Sequence, residues 1–418
     1  MKSRHHLKRL ELEESTPGLW GRYRKLPANV VAIGFVSLLN DSSSEIIYPF
    51  LPLFLATTLG ASAGVIGIIE GAAESLSSLL KLFAGNLSDR LGKRKFLVTG
   101  GYALAAVTRP LLAFAGSWQQ VLAIRLGDRL GKGIRSAPRD AMIADSVPFE
   151  QRGIAFGFHR AMDHCGAVIG PLLGYLLVVL LGMNFPLIFL IAAIPAFVAV
   201  LVAIFVMKES PVVRHEGTKV PKLSLRGFDS NFKRFLLILG LFTLSNSSDS
   251  FLILRAQDSG VPFVVIPLLW AAHHASKVLS SLYGGDLSDR LGRKRLIVSG
   301  WVLYAAVYAG FAFVDNAWSV WALFLIYGLY FGLVEGAEKA LVADLVRPEQ
   351  RGTAYGLYNL AFGITVFPAS LLMGMIWDWK GPATAFLVNA ALGATAAVLL
   401  WIFVHRSFPQ KREDAKED

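Results

Sequence analysis

The sequence predicts an all-α, polytopic membrane protein of twelve transmembrane helices in two pseudo-symmetric six-helix halves. Composition is the first reason: of 418 residues, 54% are hydrophobic and 17% charged, with a mean hydropathy of +0.52, far from the balance of a soluble chain. The second is a series of apolar segments, each with the roughly 20 residues that a helix needs to cross a hydrocarbon core of about 30 Å. The third is a basic turn that occurs twice. Residues 85–95 read Gly-Asn-Leu-Ser-Asp-Arg-Leu-Gly-Lys-Arg-Lys and residues 285–295 read Gly-Asp-Leu-Ser-Asp-Arg-Leu-Gly-Arg-Lys-Arg, so Asp89 and Asp289 stand 200 residues apart.

Residues 1–27 carry Lys2, Arg4, Lys8, Arg9, Glu11, Glu13 and Glu14 without an apolar core, which reads as a cytoplasmic tail and not a signal peptide. Spans are expected near 28–57, 63–84, 96–116, 118–143, 153–181 and 185–207, forming the first half, residues 28–207. A polar cytoplasmic linker, 208–231, with Pro211, Pro221 and five Lys or Arg, leads to the second half, 232–404. Its spans are expected near 232–256, 262–283, 296–314, 318–343, 352–376 and 382–404, before a cytoplasmic tail at 405–418. Bases fill the tails, the linker and both repeated turns, whereas turns 57–64 and 115–120 have none, which places both termini in the cytoplasm.

The repeat continues beyond the turns. Glu150-Gln151-Arg152-Gly153 recurs as Glu349-Gln350-Arg351-Gly352, shortly after Ala144-Asp145 and Ala343-Asp344 respectively. Two similar halves imply a pseudo-symmetry axis along the membrane normal. The net charge of +11 sits in short loops, as topology requires, so nucleic acid is not an expected partner. The single cysteine, Cys165, allows no intramolecular disulfide.

Spans six, nine and twelve carry no ionisable residue, while most of the others carry several. Charges at membrane depth face a bundle interior or an aqueous cavity, so the charged spans should line a central path. On the first span Asp41 and Glu45, four residues apart, share a helix face; a carboxylate that takes up and releases a proton there is what coupling to a proton gradient requires. A structural ion pair is the competing reading. On the second span Glu70, Glu74 and Lys81 share a face. The fourth span is the least expected: Arg125, Asp128, Lys132, Arg135 and Arg139 fall within an arc of roughly 80°. Its excess bases are met either by acids such as Asp41, Glu45, Glu74 and Asp163, or by an anionic group on a substrate. Arg160, Asp163 and His164 form a similar face on the fifth span, and Asp249, His274, Lys277, Glu335, Glu338 and Lys339 continue the pattern in the second half. The adjacent His273 and His274 point about 100° apart with no third ligand apparent, so no metal site is expected.

The twelve spans, the two halves and the paired basic turns resemble the major facilitator superfamily from about residue 28 to 404, most nearly its bacterial drug and metabolite proton-antiporter branch. By that resemblance Gly85, Asp89, Arg90, Gly92, Lys93 and Asp145 would form a conformational latch, with Gly285, Asp289, Arg290, Gly292, Arg293 and Asp344 its second copy. Gly166, Gly170, Pro171 and Gly174 resemble the antiporter motif of exporters, and a helix-packing groove is the simpler reading of the same spacing. The resemblance implies alternating-access transport of a small polar or charged solute, coupled to protons as efflux, by a monomer in a prokaryotic cell membrane. Lys132, Arg135, Arg139, Arg160, Asp163, His164, Asp249, His274, Lys277 and Glu335 would line the substrate cavity, and Asp41, Glu45 and Glu74 would carry the coupling. No phosphate loop, nucleophile motif or metal spacing supports an enzyme or a cofactor. Organic-anion or metabolite uptake, or a receptor that kept the fold, are the alternatives.

Overall fold

A computed structural model describes residues 24–148, 151–209, 224–347 and 350–404; positions 85, 86, 89, 90, 153, 282, 284, 285, 286, 289 and 332 are described in backbone alone. Most of the expected tails and linker therefore lies outside the described residues. The first half comprises α1 (Ala28–Ile47), α2 (Leu51–Thr57), α3 (Ala63–Leu91), α4 (Arg94–Thr108), α5 (Trp118–Asp145), α6 (Arg152–Leu181) and α7 (Phe185–Phe205). The second comprises α8 (Ser230–Ser245), α9 (Ser250–Asp258), α10 (Ile266–Leu291), α11 (Arg293–Phe313), α12 (Ala317–Asp344), α13 (Arg351–Lys380) and α14 (Pro382–Phe403).

Among the described residues eleven helical segments are long and apolar enough to cross a membrane. The segment that falls short of this is α5, and the reason is charge, not length. Its 28 residues span about 42 Å at the usual helical rise. Arg125, Asp128 and Arg135 are nonetheless buried in protein, because α3 and α4 cover the charged face.

Sequence also explains the interruptions. Pro49 and Pro52 break the first span between α1 and α2, since a proline has no backbone N–H to donate to the helical ladder. In the seventh span, Asn246-Ser247-Ser248-Asp249 separates α8 from α9, and the Ser248 hydroxyl accepts from the Ser250 amide in place of a helical bond. Arg109-Pro110 turns the end of α4 into a 3₁₀ segment, Arg109–Phe114.

Within the first half α1 packs on α6 and α7, and α5 on α3 and α4; within the second α10 packs on α12, and α11 on α12 and α14. The halves meet through α3 with α13, α6 with α10, and α2 with α9. The α3–α13 contact is the longest. Gly71 lets the backbones approach, since a Cβ there would sit 3.0 Å from the Phe367 carbonyl oxygen and 3.0 Å from Ser370 Cβ. Close approach through small residues replaces the hydrophobic drive that membrane helices lack. At the end opposite the basic turns, Asp378 of α13 caps α3 in the other half: its carboxylate accepts from the amides of Ala63 at 2.9 Å and Gly64 at 2.8 Å. Tyr48 stacks on Trp270 and Phe50 on Phe263 beside it, so this end of the interface is sealed.

Gly71→Leu should therefore force α3 and α13 apart and lower the melting temperature of the purified protein by several degrees. Gly100→Leu is the control, because nothing lies within 4 Å of a Cβ at that exposed position. Equal melting temperatures for the two variants would remove the helix contact from the account.

Candidate functional site

The first half holds its charges in a branched network of pairs centred on Asp128. Arg125 of α5 donates to both oxygens of Glu70 on α3, from Nε at 3.1 Å and Nη2 at 2.7 Å, a two-pronged pair buried on both sides. Asp128, one turn on, accepts from Arg109 Nε at 3.0 Å and lies 3.9 Å from Arg125 and from Arg129. Arg109 also donates to the Asn40 carbonyl at 2.8 Å, and Arg129 Nε is 3.8 Å from Glu74. Three guanidiniums thus meet three carboxylates. This amends the expected compensation: of the acids proposed for the basic stripe, Glu74 takes part, but Glu70 is the principal partner and Glu45 turns to the other half.

Toward the basic-turn end the balance changes. The Arg135 guanidinium lies over the Tyr102 ring, 4.5 Å from its centroid, and its one hydrogen bond, to the Gly101 carbonyl, is 3.5 Å long. No acid lies within 4.0 Å of it among the described residues, and the same holds for Lys132. Arg139 pairs with its neighbour Asp140 at 3.0 Å and reaches Ser37 Oγ at 3.5 Å. Ser37 in turn bonds Tyr102 Oη at 3.1 Å and His159 Nε2 at 2.9 Å, and His159 Nδ1 is 3.5 Å from Asp163. Ser37, Tyr102 and His159 were not singled out from sequence; each is an ordinary residue on an apolar helix, and only their convergence marks them.

The glycine stripe of α6 positions the first-span acids. A Cβ at Gly166 would lie 2.6 Å from the Leu38 carbonyl and 3.0 Å from Asp41 Cβ, and one at Gly170 would lie 2.6 Å from Glu45 Cβ. Gly174 faces the Phe50 ring at 3.1 Å. The motif is therefore a packing groove for α1, and the residues it seats are Asp41 and Glu45. Asp41 is joined by the Asn40 side chain at 2.9 Å and by no base within 4.0 Å among the described residues. Glu45 crosses between the halves: it accepts from Trp270 Nε1 at 2.8 Å and lies 3.6 Å from His274 Nε2.

The second half answers charge with aromatic rings. Asp145 and Asp344 set an offset of 199, at which Arg125, Asp128, Lys132, Arg135 and Arg139 correspond to Phe324, Tyr327, Phe331, Val334 and Glu338. Tyr327 donates to Asp249 at 2.8 Å and stacks on His273; Trp301 and Tyr358 donate to Glu338 at 3.0 and 2.8 Å. Lys277 places its ammonium 4.0 Å over the Phe331 ring.

The same offset resolves the repeated turns. Arg293 meets Asp344 at 2.9 Å, but in the first half the base that meets Asp145 is Arg94, not Lys93. Both pairs span 51 residues, 94 to 145 and 293 to 344. The first turn holds one residue more before its helix: Lys93 is the N-cap of α4, whereas Arg293 already begins α11. Gly92 and Gly292 have φ of +63° and +88°, a backbone region that favours glycine. The side chains of Asp89, Arg90 and Asp289 are not described, and Gly85 and Gly285 are described in backbone alone; Arg290 is exposed.

One cavity of about 850 Å³ opens between α6, α10 and α12. Arg160, His164 and Glu335 line it, together with Cys165, Ile169, Leu279, Phe331 and Lys339. Lys132, Arg135, Arg139, Asp163, Asp249, His274 and Lys277 are not among the residues that line it. Helical geometry gives the reason: Arg160 and His164 share a face, while Asp163, about 100° away from His164, turns inward to His159.

Breaking the buried fork should be costly, because removing one partner strands the other's charge. Glu70→Gln or Arg125→Gln should each destabilise by about 3–5 kcal/mol, with the double variant well short of the sum. Thermal unfolding of the four proteins measures the coupling, and additive losses would dissolve the pair.

Comparison with known proteins agrees with this architecture. The sequence profile of the Major Facilitator Superfamily matches residues 33–334 and 234–418. An uncharacterized MFS-type transporter of Methanocaldococcus jannaschii is 36% identical over 383 residues, covering 90% of this chain and 95% of that protein. The multidrug resistance protein MdtG of Proteus mirabilis is 27% identical over 396 residues, covering 90% and 94%. Among solved structures, the nucleoside transporter NupG superposes with a TM-score of 0.78 at 14% identity, covering 90% of this chain and 100% of that one. A bacterial homologue of the human lysosomal transporter Spinster, inward-facing and occupied, gives 0.74 at 15% identity, covering 90% and 96%. With a profile match along most of its length and a relative above 30% identity, the chain belongs to the Major Facilitator Superfamily and is a multi-pass transporter of the prokaryotic plasma membrane, not an enzyme.

Proposed function

We propose that this chain is a twelve-span secondary transporter with both termini in the cytoplasm, α5 being the span that composition alone conceals. It exports a small, charged or polar solute in exchange for protons by rocking residues 28–207 against residues 232–404. The observation that carries the coupling is Glu45. It is a carboxylate on a glycine-seated helix, and it bonds Trp270 and faces His274 of the opposite half only while the halves touch at that end. Opening that end would free Glu45 to exchange a proton with the exterior, and closing it would remove Glu45 from that exchange. A proton affinity that differs between two conformations is what links a gradient to their interconversion.

Asp41, unpaired one turn away, is the second candidate, and Glu74 sits in the adjoining ion network. The Arg94–Asp145 and Arg293–Asp344 pairs, with the repeated turns, act as the latch of the cytoplasmic end. Export is favoured by the relatives named multidrug resistance protein and multi-drug resistance efflux pump, each 27% identical. Exchange of an organic anion is the second reading, favoured by Arg135, which no carboxylate meets within 4.0 Å among the described residues. A receptor without transport would have no use for the Glu45 contact. The working unit is a monomer, since one chain supplies both halves.

Orientation is tested in a Cys165→Ser background. Single cysteines at Ala61 and Gly116 should react with an impermeant maleimide added outside intact cells, and one at Thr218 should not; external labelling at 218 would invert the topology.

Coupling is tested in proteoliposomes by screening solutes for accumulation under an imposed pH gradient. Asp41→Asn/Glu45→Gln should lose uphill accumulation of any solute that the unmodified chain accumulates, and Glu45→Gln alone should lose most of it. Accumulation that persists in the double variant, or that needs no gradient in the unmodified chain, would overturn proton exchange.

A further inference from the structure

We infer that the cavity between α6, α10 and α12 takes an amphipathic anion: one alkyl chain bearing a single negative group. The inference rests on the transport reading above and names the substrate class of its site. Two features of the lining lead to it.

The first is a division of the cavity along α6. Arg160 lies at one end, and Val168 and Ile169 at the other, about 13 Å further at the helical rise. Ala275, Val278 and Leu279 of α10 add further apolar lining. The cavity volume of about 850 Å³ is within the roughly 300–1,000 Å³ usual for small-molecule sites. An apolar chain fits the Ile169 end, and each added methylene should improve affinity by up to about fourfold.

The second is the sign of the polar end. Among the described residues Glu335 is the sole acid of the lining, and two bases already hold it: Arg160 at 3.4 Å and Lys339 at 3.3 Å. Both contacts fall on Glu335 Oε1, and two bases against one acid leave this end with a net positive charge, which attracts an anion and opposes a cation. An anion also meets spare donors, because Arg160 offers five N–H groups and Lys339 three, and each uses one on Glu335. Lys277, over the Phe331 ring that lines the cavity, adds a third positive charge nearby. The Arg160, Glu335 and Lys339 side chains are 58%, 41% and 44% exposed, so an entering headgroup reaches them without unpacking the protein.

The chain carries its own reporter. Cys165, its single cysteine, is exposed and lines the cavity midway between the two ends. The full-length protein in zwitterionic nanodiscs is labelled with a bulky maleimide in the presence of decanesulfonate, decyltrimethylammonium or methanesulfonate, whose charges do not change with pH. Decanesulfonate should slow Cys165 labelling at least tenfold, and the other two should leave it within twofold. Arg160→Gln/Lys339→Gln should raise the concentration needed for half protection at least tenfold. Leu279→Trp, which adds bulk to the apolar lining, should weaken protection while leaving both bases in place; melting curves confirm that the variants fold. Equal protection by the cation, or none by decanesulfonate, overturns the assignment. Protection by phosphatidylglycerol in the nanodisc equal to that by decanesulfonate assigns the groove to a membrane lipid and overturns the single-chain ligand. The pH-driven accumulation assay separates the two readings: intact accumulation without protection removes the ligand class alone, and protection without accumulation removes proton exchange alone.

Discussion

A helix rich in arginine can pack among apolar helices only if its charges find partners there, and the fork between Arg125 and Glu70 is how this chain meets that condition. Its planar geometry satisfies both carboxylate oxygens at once, leaving neither partner with an unmet charge. Asp128 and Arg109 extend the network to the end of α4, and the Arg109 bond to the Asn40 carbonyl ties it to α1. Spans one to four are thereby joined through buried ionic contacts that any rearrangement of the first half must carry as a unit.

The second half reaches the same architecture by other chemistry. Where α5 has a stripe of charge, α12 has mostly phenylalanine, tyrosine and valine, and two buried or half-buried acids of this half, Asp249 and Glu338, are held by phenol and indole donors. Asp249 and Glu338 need no base because Tyr327, Tyr358 and Trp301 donate to them. The two halves therefore differ in stiffness and polarity although they repeat in backbone. The electrostatic work of the protein is concentrated on one side of the interface, and a broad aromatic surface faces it from the other.

The interface divides in a corresponding way. Backbone contact along α3 and α13, the Asp378 cap and the stacked rings seal one end, whereas exposed and half-exposed side chains of α6, α10 and α12 border a cavity toward the other. The sealed end is built from glycine contacts and two amide bonds, interactions that separate without stranding a buried charge. That suits an interface required to open. Glu45 is the exception, a carboxylate placed across the interface against Trp270 and His274.

The chain by itself determined the helical class, the two halves and the segments that span, because hydropathy and an internal repeat are properties of order along a sequence. The period of the helix likewise showed which residues share a face: the stripe on α5, the pair Asp41 and Glu45, and the glycine stripe of α6 all emerged from spacing. What spacing leaves open is which neighbour a face meets. Glu70 and Arg125 are 55 residues apart, and Asp378 and Gly64 are 314 apart, so only helix packing brings them together. Tertiary structure also decided register, moving the partner of Asp145 from Lys93 to Arg94 through one extra residue in a turn. It likewise separated Asp163 from His164, since adjacent residues on a helix face different surroundings. A sequence specifies what each helix presents; the packing of the helices against one another decides what that presentation touches.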